Sequence, residues 1–215
     1  MLNRFKVAKL FAGRKDKKIK SVAYFGFADA NPDDPLYKEA YACAKYLTAK
    51  GYLAIDGGGP GVMRAVSEGA RDAGSEPIIV TFYPKDITNF EGRDPQNPST
   101  IEVKTKNYLE RTLKLMEYGD AYVIFKGGTG TVSEFGMAWG LARLYFGHHK
   151  PLILYGSFWN EIIKAFVENI RIRPEELKVF KVVDTPEEAY QAIQTFEQAL
   201  AEKVDSDVAE GAFQQ

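Results

Sequence analysis

The sequence predicts an α/β protein in which helices cover both faces of a doubly wound parallel sheet in a single domain. Short apolar segments alternate with longer amphipathic ones, which is the pattern of strand–helix units around a parallel sheet. The short segments are apolar on both faces, as expected of strands buried between two layers of helices. With 215 residues, of which 45% are apolar, the chain is long enough for one substantial core.

Six short apolar segments are predicted as strands, and a helical segment follows each of them. The strands cover 21–27, 52–59, 77–83, 121–125, 151–156 and 178–183, the last as an edge strand. The helices cover about 36–50, the stretch after Pro60, 107–118, the stretch ending near 146, 159–170 and 185–203. The polar segment 84–100 contains prolines and is too long for a routine connector, so we expect a loop of the substrate-lid type.

The two ends of the chain differ in charge from its centre. Residues 1–20 carry eight Lys or Arg against one Asp, and 204–215 form an acidic tail, so the predicted nucleotide-binding domain covers 21–203. A basic leader can contact nucleic acid or a membrane surface or act as a transit peptide, but a solvated tail or a docked helix is the commoner outcome. With a net charge of −1, the chain as a whole predicts neither nucleic acid nor a membrane as a partner.

Cysteine content and hydropathy indicate the compartment. No run of about 18 apolar residues occurs, and the N-terminus lacks the apolar core of a signal peptide. The single cysteine, Cys43, cannot form a disulfide within the chain and is expected to be a small buried residue. We therefore expect a cytoplasmic protein.

Two glycine-rich turns stand where a predicted strand enters a helix. They are "DGGGPGVM" at 56–63 and "KGGTGTVSE" at 126–134. Glycine lets backbone N–H groups approach an anion closely, and the positive end of a helix dipole favours phosphate, so the two turns suggest a phosphorylated ligand. Neither turn has the spacing of a P-loop or of a dinucleotide-binding turn, which disfavours an ATPase and an ordinary NAD dehydrogenase.

Glu134 is an unexpected residue beside a phosphate site. One explanation is a capping box, in which Thr131 caps the helix that begins there and Glu134 lies three residues on. A phosphate at the same helix end would repel the carboxylate, unless the two groups contact different parts of one ligand. A nucleoside monophosphate is such a ligand, with its phosphate at one end and its glycosidic carbon further along.

Together these segments resemble a known family. "GGGPGVMRAVSEGARDAG" and "GGTGTVSE", separated by an arginine-bearing helix and followed by "KPLILYGSFW", resemble the Lonely Guy (LOG) family, often labelled "possible lysine decarboxylase". The resemblance covers roughly residues 20–170. It implies a Rossmann-like fold, a homodimer, and hydrolysis of the N-glycosidic bond of nucleoside 5′-monophosphates, including cytokinin riboside monophosphates, to free base and ribose 5-phosphate.

The resemblance also implies site residues. It places a catalytic arginine at Arg111 and a catalytic glutamate at Glu134, and it places phosphate-binding residues at Gly58, Gly59, Gly61, Gly127, Gly128, Gly130 and Thr131. The hydroxyl of Thr129 can add a hydrogen bond to the same phosphate. By helical spacing alone, Arg111 points away from the apolar stripe of Leu109, Leu113 and Met116, which predicts a solvated arginine.

The sequence also departs from the family. Lys126 stands where the family usually has proline, and it either strengthens phosphate binding or faces solvent. Thr112 stands where lysine usually follows the arginine, and 84–100 does not match the usual family text, which leaves base recognition open.

The main alternative is a non-catalytic carrier, because the same fold serves in relatives that bind the molybdenum cofactor, a phosphorylated pterin. Lysine decarboxylation is rejected because the sequence singles out no Schiff-base lysine with a partner for a pyridinium nitrogen.

We expect neither a metal nor a cofactor. His148 and His149 are adjacent, so in an extended loop their side chains point apart and make a poor metal pair.

Gly136 and Gly140, four residues apart on the helix after the second glycine turn, allow close packing against either the sheet or a dimer partner.

Overall fold

Seven parallel strands form one sheet in the computed structural model, which describes residues 18–85, 90 and 92–209. The strands, numbered β1 to β7, are Ser21–Phe25, Leu53–Asp56, Ile78–Phe82, Ile101–Thr105, Ala121–Ile124, Leu152–Tyr155 and Phe180–Val183. Their order across the sheet is β4-β3-β2-β1-β5-β6-β7. The predicted doubly wound parallel sheet is therefore confirmed, with β7 at one edge as expected.

Six α-helices and one 3₁₀ turn accompany these strands within the described residues, and the last helix follows the last strand. The helices, numbered α1 to α6, are Pro35–Ala49, Val62–Asp72, Tyr108–Tyr118, Thr129–Leu144, Trp159–Asn169 and Pro186–Ala209, and the 3₁₀ turn is Pro174–Leu177. None of these helices is both long enough and apolar enough to cross a membrane. Most of the predicted basic extension, residues 1–17, lies outside the described part of the chain.

The helices cover both faces of the sheet, and β1 shows how the core is divided. Val22 and Tyr24 pack with α1, α2 and α6 on one face, and Ala23 and Phe25 pack with α3, α4 and α5 on the other. All five residues of β1 are buried. This explains why the strands read as continuous apolar runs in the sequence.

Strand β4 was not predicted from the sequence. It lies within "STIEVKT", directly after the long polar loop, and pairs in register with β3 from Ile78↔Ile101 to Phe82↔Thr105. β4 is an edge strand, and Glu102 and Lys104 on it are at least partly exposed. Because edge strands carry charged residues and lack a second covered face, β4 does not show the apolar run that marks the other strands.

The strand order creates a crevice at the carboxyl edge of the sheet. β1 lies between β2 and β5, so the connections that leave β1 and β5 run in opposite directions across the sheet. In open α/β sheets, ligands bind outside the carboxyl ends of the strands at such a switch point. The loops after β1 and β5, where residues 26–29 and 126–128 lie, therefore flank the expected ligand position.

Candidate active site

A cavity of about 280 Å³ opens at this switch point. The loop after β1, the second glycine turn, the first turns of α3 and α4, and two residues of the long loop line it. Arg111 and Glu134 lie in its wall together with Gly128, Thr129, Gly130 and Thr131. The structure thus brings both predicted catalytic residues to a single cavity, together with most of the second glycine turn and with Gly57 and Met63 of the first.

Arg111 is buried, so the prediction of a solvated arginine from helical spacing is wrong. It lies in the first turn of α3, with 5% of its surface exposed, whereas Leu109 and Leu113 of the predicted apolar stripe are 60% and 51% exposed. Its Nε donates to the carbonyl oxygen of Val80, the middle residue of β3, at 3.0 Å, which fixes the guanidinium against this strand. The helix is therefore rotated so that Arg111, together with Leu115 and Met116, faces the inside of the protein, whereas Leu109 and Leu113 face outward.

The guanidinium of Arg111 lies on the first glycine turn. A Cβ placed on Gly57 would overlap Arg111 Nη2, so only glycine at position 57 leaves room for it. The rings of Phe90 and Tyr108 lie 5.8 and 5.9 Å from the guanidinium carbon, within the range of a cation–π contact. Sequence reasoning did not single out Gly57, Phe90 or Tyr108, although "GGG" signals a close backbone approach at Gly57.

Glu134 and Arg111 face each other, and both form part of the cavity wall. Glu134 Oε1 lies 3.9 Å from Arg111 Nη1, which is longer than a hydrogen bond, and both side chains are more than nine-tenths buried. Burial raises the pKa of Glu134 to about 7, and the positive charge of Arg111 opposes this rise. Near neutral pH the carboxyl can therefore both accept and release a proton.

The helix that carries Glu134 begins earlier than the sequence suggested. Gly128 is the N-cap and α4 begins at Thr129, so the capping box that starts at Thr131 does not form. Glu134 consequently lies in the second turn of α4 and does not serve the helix end. This removes helix capping as the explanation for a carboxylate at this position.

The second glycine turn offers an open site for an anion. Residues 126–130 are exposed, and the N-cap Gly128 has no side chain to satisfy the first N–H groups of α4. Gly127 lies outside the cavity lining, and its Cα packs against the side chain of Thr131. The backbone donors at the start of α4, together with the Thr129 and Thr131 side chains, therefore remain for a ligand.

The first glycine turn is buried and serves the protein itself. The Gly58 N–H bonds to Asp56 Oδ1 at 2.7 Å, and its carbonyl oxygen accepts the Asp94 N–H at 2.9 Å. Gly61 has a φ of 62° and lies against the backbone of the loop after β1, where a Cβ would overlap carbonyl oxygens. Gly58, Gly59 and Gly61 do not line the cavity, so their predicted phosphate contact is not seen in its geometry.

The expected lid is fastened to the body of the protein along residues 92–100. Arg64 of α2 pairs with Asp94 at 3.5 Å, and Arg71 donates to the Pro98 carbonyl oxygen at 2.9 Å. Arg93 donates to two further carbonyl oxygens of the same loop. The remaining residues of the predicted lid, 86–89 and 91, lie outside the described part of the chain.

Lys126 does not take part in the cavity. Its side chain is exposed, and its Nζ lies 5.6 Å from the ring centre of Phe158. Lys126 is not among the residues that line the cavity. Of the two predicted alternatives, solvent exposure fits the structure.

The two histidines occupy different surroundings. His149 is buried, and its Nδ1 accepts the Gly147 N–H at 3.2 Å, whereas His148 is exposed. Within the described residues, no group of three or more His, Cys, Asp or Glu side chains is placed to hold a metal ion.

The buried carboxyl of Glu134 predicts a pH-dependent stability. Its pKa is raised from 4.5 to about 7 on folding, so between these values the folded protein binds the proton that the unfolded chain releases. The free energy of unfolding should therefore fall as the pH rises through this window, by up to about 3 kcal/mol from this group. Thermal unfolding at pH 5 and pH 8 should show that Glu134→Gln is stabilised relative to the wild type at pH 8 but not at pH 5.

The control for this measurement is Glu168→Gln, which removes a carboxylate from the exposed side of α5. We expect this variant to follow the wild type at both pH values. Equal unfolding temperatures for Glu134→Gln and wild type at pH 8 would contradict the buried, proton-binding state of Glu134.

The fold and the cavity together define a Rossmann-like protein with a ligand site at its topological switch point. The family described as "possible lysine decarboxylase" matches residues 63–193. Since this match spans more than half of the chain, the protein belongs to that family, and the resemblance to the LOG family found in the sequence is confirmed.

Individual relatives agree with this assignment. An uncharacterized protein of Archaeoglobus fulgidus is 27% identical over 124 residues, which are 58% of this chain and 78% of that protein. The molybdenum cofactor binding protein of Rippkaea orientalis has a TM-score of 0.61 at 21% identity, covering 83% of this chain and 98% of that one. The molybdenum cofactor carrier protein of Chlamydomonas reinhardtii has a TM-score of 0.54 at 20% identity, covering 85% and 99%. At these identities the two structures show the shared fold.

Proposed function

We propose that the protein hydrolyses the N-glycosidic bond of a nucleoside 5′-monophosphate to free base and ribose 5-phosphate. The observation that carries this proposal is the buried pair of Arg111 and Glu134, which lines a cavity next to an open helix N-terminus.

The family label "possible lysine decarboxylase" finds no support in the site. Among the described residues, no lysine lines the cavity and could form a Schiff base.

The phosphate would bind at the start of α4. The unpaired N–H groups after Gly128 and the positive end of the helix dipole favour a doubly charged anion, and the hydroxyls of Thr129 and Thr131 add donors. No buried acid competes at this end of the cavity, because Glu134 lies further along the helix.

The sugar would reach Glu134. From Thr129 to Glu134 the helix advances roughly 7.5 Å, at about 1.5 Å per residue. A ligand with its phosphate at one end and its glycosidic carbon further along can therefore contact both groups without placing the two negative charges side by side. This separation favours a nucleoside 5′-monophosphate over a compact anion such as free phosphate.

The proposed reaction uses both charged residues. Glu134, once ionised, accepts a proton from a water molecule whose oxygen forms the new bond to C1′. The bond from C1′ to the base nitrogen breaks, and the base leaves with the electron pair and takes up a proton. Glu134 also stabilises the positive charge that develops on the ribose, and Arg111 neutralises negative charge on either the leaving base or the phosphate.

Part of the cavity wall suits a flat base. Phe27 and Tyr108 line the cavity and are 40% and 36% exposed, and Phe90 and Met63 also line it. Aromatic faces stack on any base, so this wall gives a binding surface without selecting one base by hydrogen bonds.

The test is the release of free base and ribose 5-phosphate from a panel of purine and pyrimidine nucleoside 5′-monophosphates, beginning with AMP. The same nucleosides without phosphate are the matched controls. We expect cleavage of one or more monophosphates and little cleavage of the nucleosides. The proposal is wrong if no monophosphate yields free base.

A second candidate is non-catalytic binding of a phosphorylated pterin such as the molybdenum cofactor. The similarity of fold to two proteins that bind or carry this cofactor favours it. A pterin needs the same anion site at the start of α4 and can stack on the same aromatic wall, but it gives Glu134 no bond to hydrolyse. Identification of the small molecule that copurifies with the protein distinguishes the two functions, because a pterin points to a carrier and a nucleotide or ribose 5-phosphate points to the hydrolase.

A second copy of the chain is the partner we propose for an exposed apolar face on α3 and α4. Val132, Gly136, Gly140 and Leu144 follow each other at intervals of four on α4, and all are exposed. A Cβ on either glycine would meet nothing within 4 Å, so these glycines are not needed for packing against the sheet and would let another helix approach closely. Leu113 of α3 lies beside this helix, where it lines a second cavity with Leu141 and Tyr145. Such a self-complementary surface suits a two-fold dimer, as the family resemblance implies.

Leu144→Glu should convert this dimer to a monomer. Leu144 is 66% exposed, so a charged residue is tolerated in the monomer but would be buried without a partner in the dimer. Size-exclusion chromatography with light scattering measures the mass directly. Ile170→Glu is the control, because Ile170 is 53% exposed and lies at the end of a different helix, α5, and the variant should remain dimeric. A monomeric wild type, or a dimeric Leu144→Glu variant, would rule out this interface.

A further inference from the structure

Tyr108 carries a hydroxyl group that has no role in the hydrolysis proposed above. Tyr108 is the first residue of α3, lines the cavity and is 36% exposed. Its backbone carbonyl oxygen accepts the Thr112 hydroxyl at 3.1 Å, but its own hydroxyl forms no hydrogen bond with any described residue. A phenol hydroxyl can donate one hydrogen bond and accept others, so this group is free to bind a ligand.

The ring of Tyr108 is held in place by its neighbours. Phe82, the last residue of β3, and Phe90 of the long loop meet it edge to face, with ring centres 6.1 and 6.2 Å away. The guanidinium carbon of Arg111 lies 5.9 Å from the ring centre. The direction of the hydroxyl is therefore set by the packing of the ring and needs no hydrogen bond within the protein.

This hydroxyl lies beside the start of α4. A Cβ placed on Gly130, in the first turn of that helix, would lie 3.3 Å from the Tyr108 hydroxyl oxygen. Outside α4 itself, no other atom of the described residues lies within 4 Å of this Cβ position. The Cβ atoms of a helix tilt toward its N-terminus, so the hydroxyl lies on the side of the turn that an anion would approach. Glycine at position 130 keeps this side open.

We propose that Tyr108 is a specificity-determining residue whose hydroxyl donates a hydrogen bond to the phosphate of the ligand. A phosphate bound by the first N–H groups of α4 would bring its oxygens within reach of a hydroxyl beside Gly130, and hydrogen bonds to charged acceptors are the stronger ones. The ring keeps its contact with Arg111 at the same time. This assignment rests on the anion site of the proposed function, but it does not require that the bound ligand is hydrolysed.

The test compares ligand affinities by calorimetry in the Glu134→Gln background, in which hydrolysis is suppressed. Tyr108→Phe removes the hydroxyl and keeps the ring. It should weaken the binding of AMP and of ribose 5-phosphate by roughly 10- to 100-fold, as expected for the loss of a hydrogen bond to a charged group. The affinity for adenosine, measured by competition with AMP, should not change. The proposal is overturned by an unchanged affinity for both phosphorylated probes, by an equal loss for adenosine, or by a parent protein that binds neither phosphorylated probe.

Tyr83→Phe is the matched control for the loss of a tyrosine hydroxyl. Tyr83 is 53% exposed, it does not line the cavity, and its hydroxyl donates to Glu102 on the edge strand β4 at 2.7 Å. This variant should bind all three probes as the parent does. If the protein hydrolyses no monophosphate, the proposed function fails, whereas the comparison of phosphorylated and phosphate-free probes still decides the role of Tyr108.

Discussion

Glu134→Gln should lower the hydrolysis of a nucleoside 5′-monophosphate by at least about 100-fold, because the amide cannot accept a proton from water and carries no negative charge to stabilise the ribose cation. The substitution keeps the size of the side chain and removes a charge that is costly to bury, so folding should not suffer. The measurement is kcat/KM by release of free base, with phosphate-dependent binding followed separately by calorimetry. Binding should persist in the variant, since the phosphate contacts lie at the start of α4.

The pH dependence gives an independent check on the same residue. If Glu134 acts in its ionised form, kcat/KM of the wild type should rise with pH and level off above about pH 7, where the carboxyl has lost its proton. An activity that is unchanged in Glu134→Gln, or that falls as the pH rises from 5 to 7, would exclude Glu134 as the base.

Gly57→Ala is the second substitution with a large expected effect, of about 100-fold on kcat/KM. A methyl group at this position would occupy the space of Arg111 Nη2 and displace the guanidinium from the cavity wall. Since the displaced atoms are the far end of a flexible side chain, the fold should survive. Thermal unfolding near the wild-type temperature, together with the loss of activity, would show that the effect is local.

Gly59→Ala in the same turn is the informative comparison. A Cβ at Gly59 would meet the terminal methyl of Met63, the far end of a flexible side chain, and no atom of Arg111. We expect a much smaller loss than for Gly57→Ala. Equal losses for the two variants would contradict the role assigned to Gly57 and would favour direct ligand binding by the first glycine turn.

The sheet was predictable because burial on both faces gives each central strand a continuous apolar run. β1, β2, β3, β5 and β6 are buried at every position, and each was found from its composition. β4 was missed because its burial is uneven and charged residues interrupt it. The position of β4 depends on its hydrogen bonds to β3, and no local pattern in the sequence reveals those bonds.

The orientation of α3 could not be predicted from its own residues. Its apolar spacing predicts a buried leucine stripe, yet Leu109 and Leu113 are exposed and Arg111 is buried. Arginine is buried here because the Val80 carbonyl oxygen, Gly57 and Glu134 meet it, and these come from three other segments. Local periodicity carries no information about partners so distant in the chain.

The position of Glu134 was found from the sequence, but its environment was not. The resemblance to the LOG family paired it with Arg111, and the structure brings the two together. The start of α4 at Thr129 and the burial of the Glu134 carboxyl both depend on how Gly128 ends the preceding loop. The T-x-x-E pattern instead predicts a helix that begins at Thr131. Thus the identity of the site residues was accessible from the sequence, whereas their electrostatic state required the fold.

The burial of the first glycine turn has a consequence for any redesign of this protein. The two glycine motifs look like two halves of one ligand-binding signature. The second lies open to the ligand, whereas the first receives an arginine of the protein itself and lines the cavity only at Gly57 and Met63. Libraries aimed at a new substrate should therefore leave 56–61 untouched and vary Phe27, which lines the cavity and is 40% exposed, while Tyr108 is kept because its ring contacts the Arg111 guanidinium. A selection for ligand binding alone would not preserve the first glycine motif. Only a selection for catalytic turnover would preserve it.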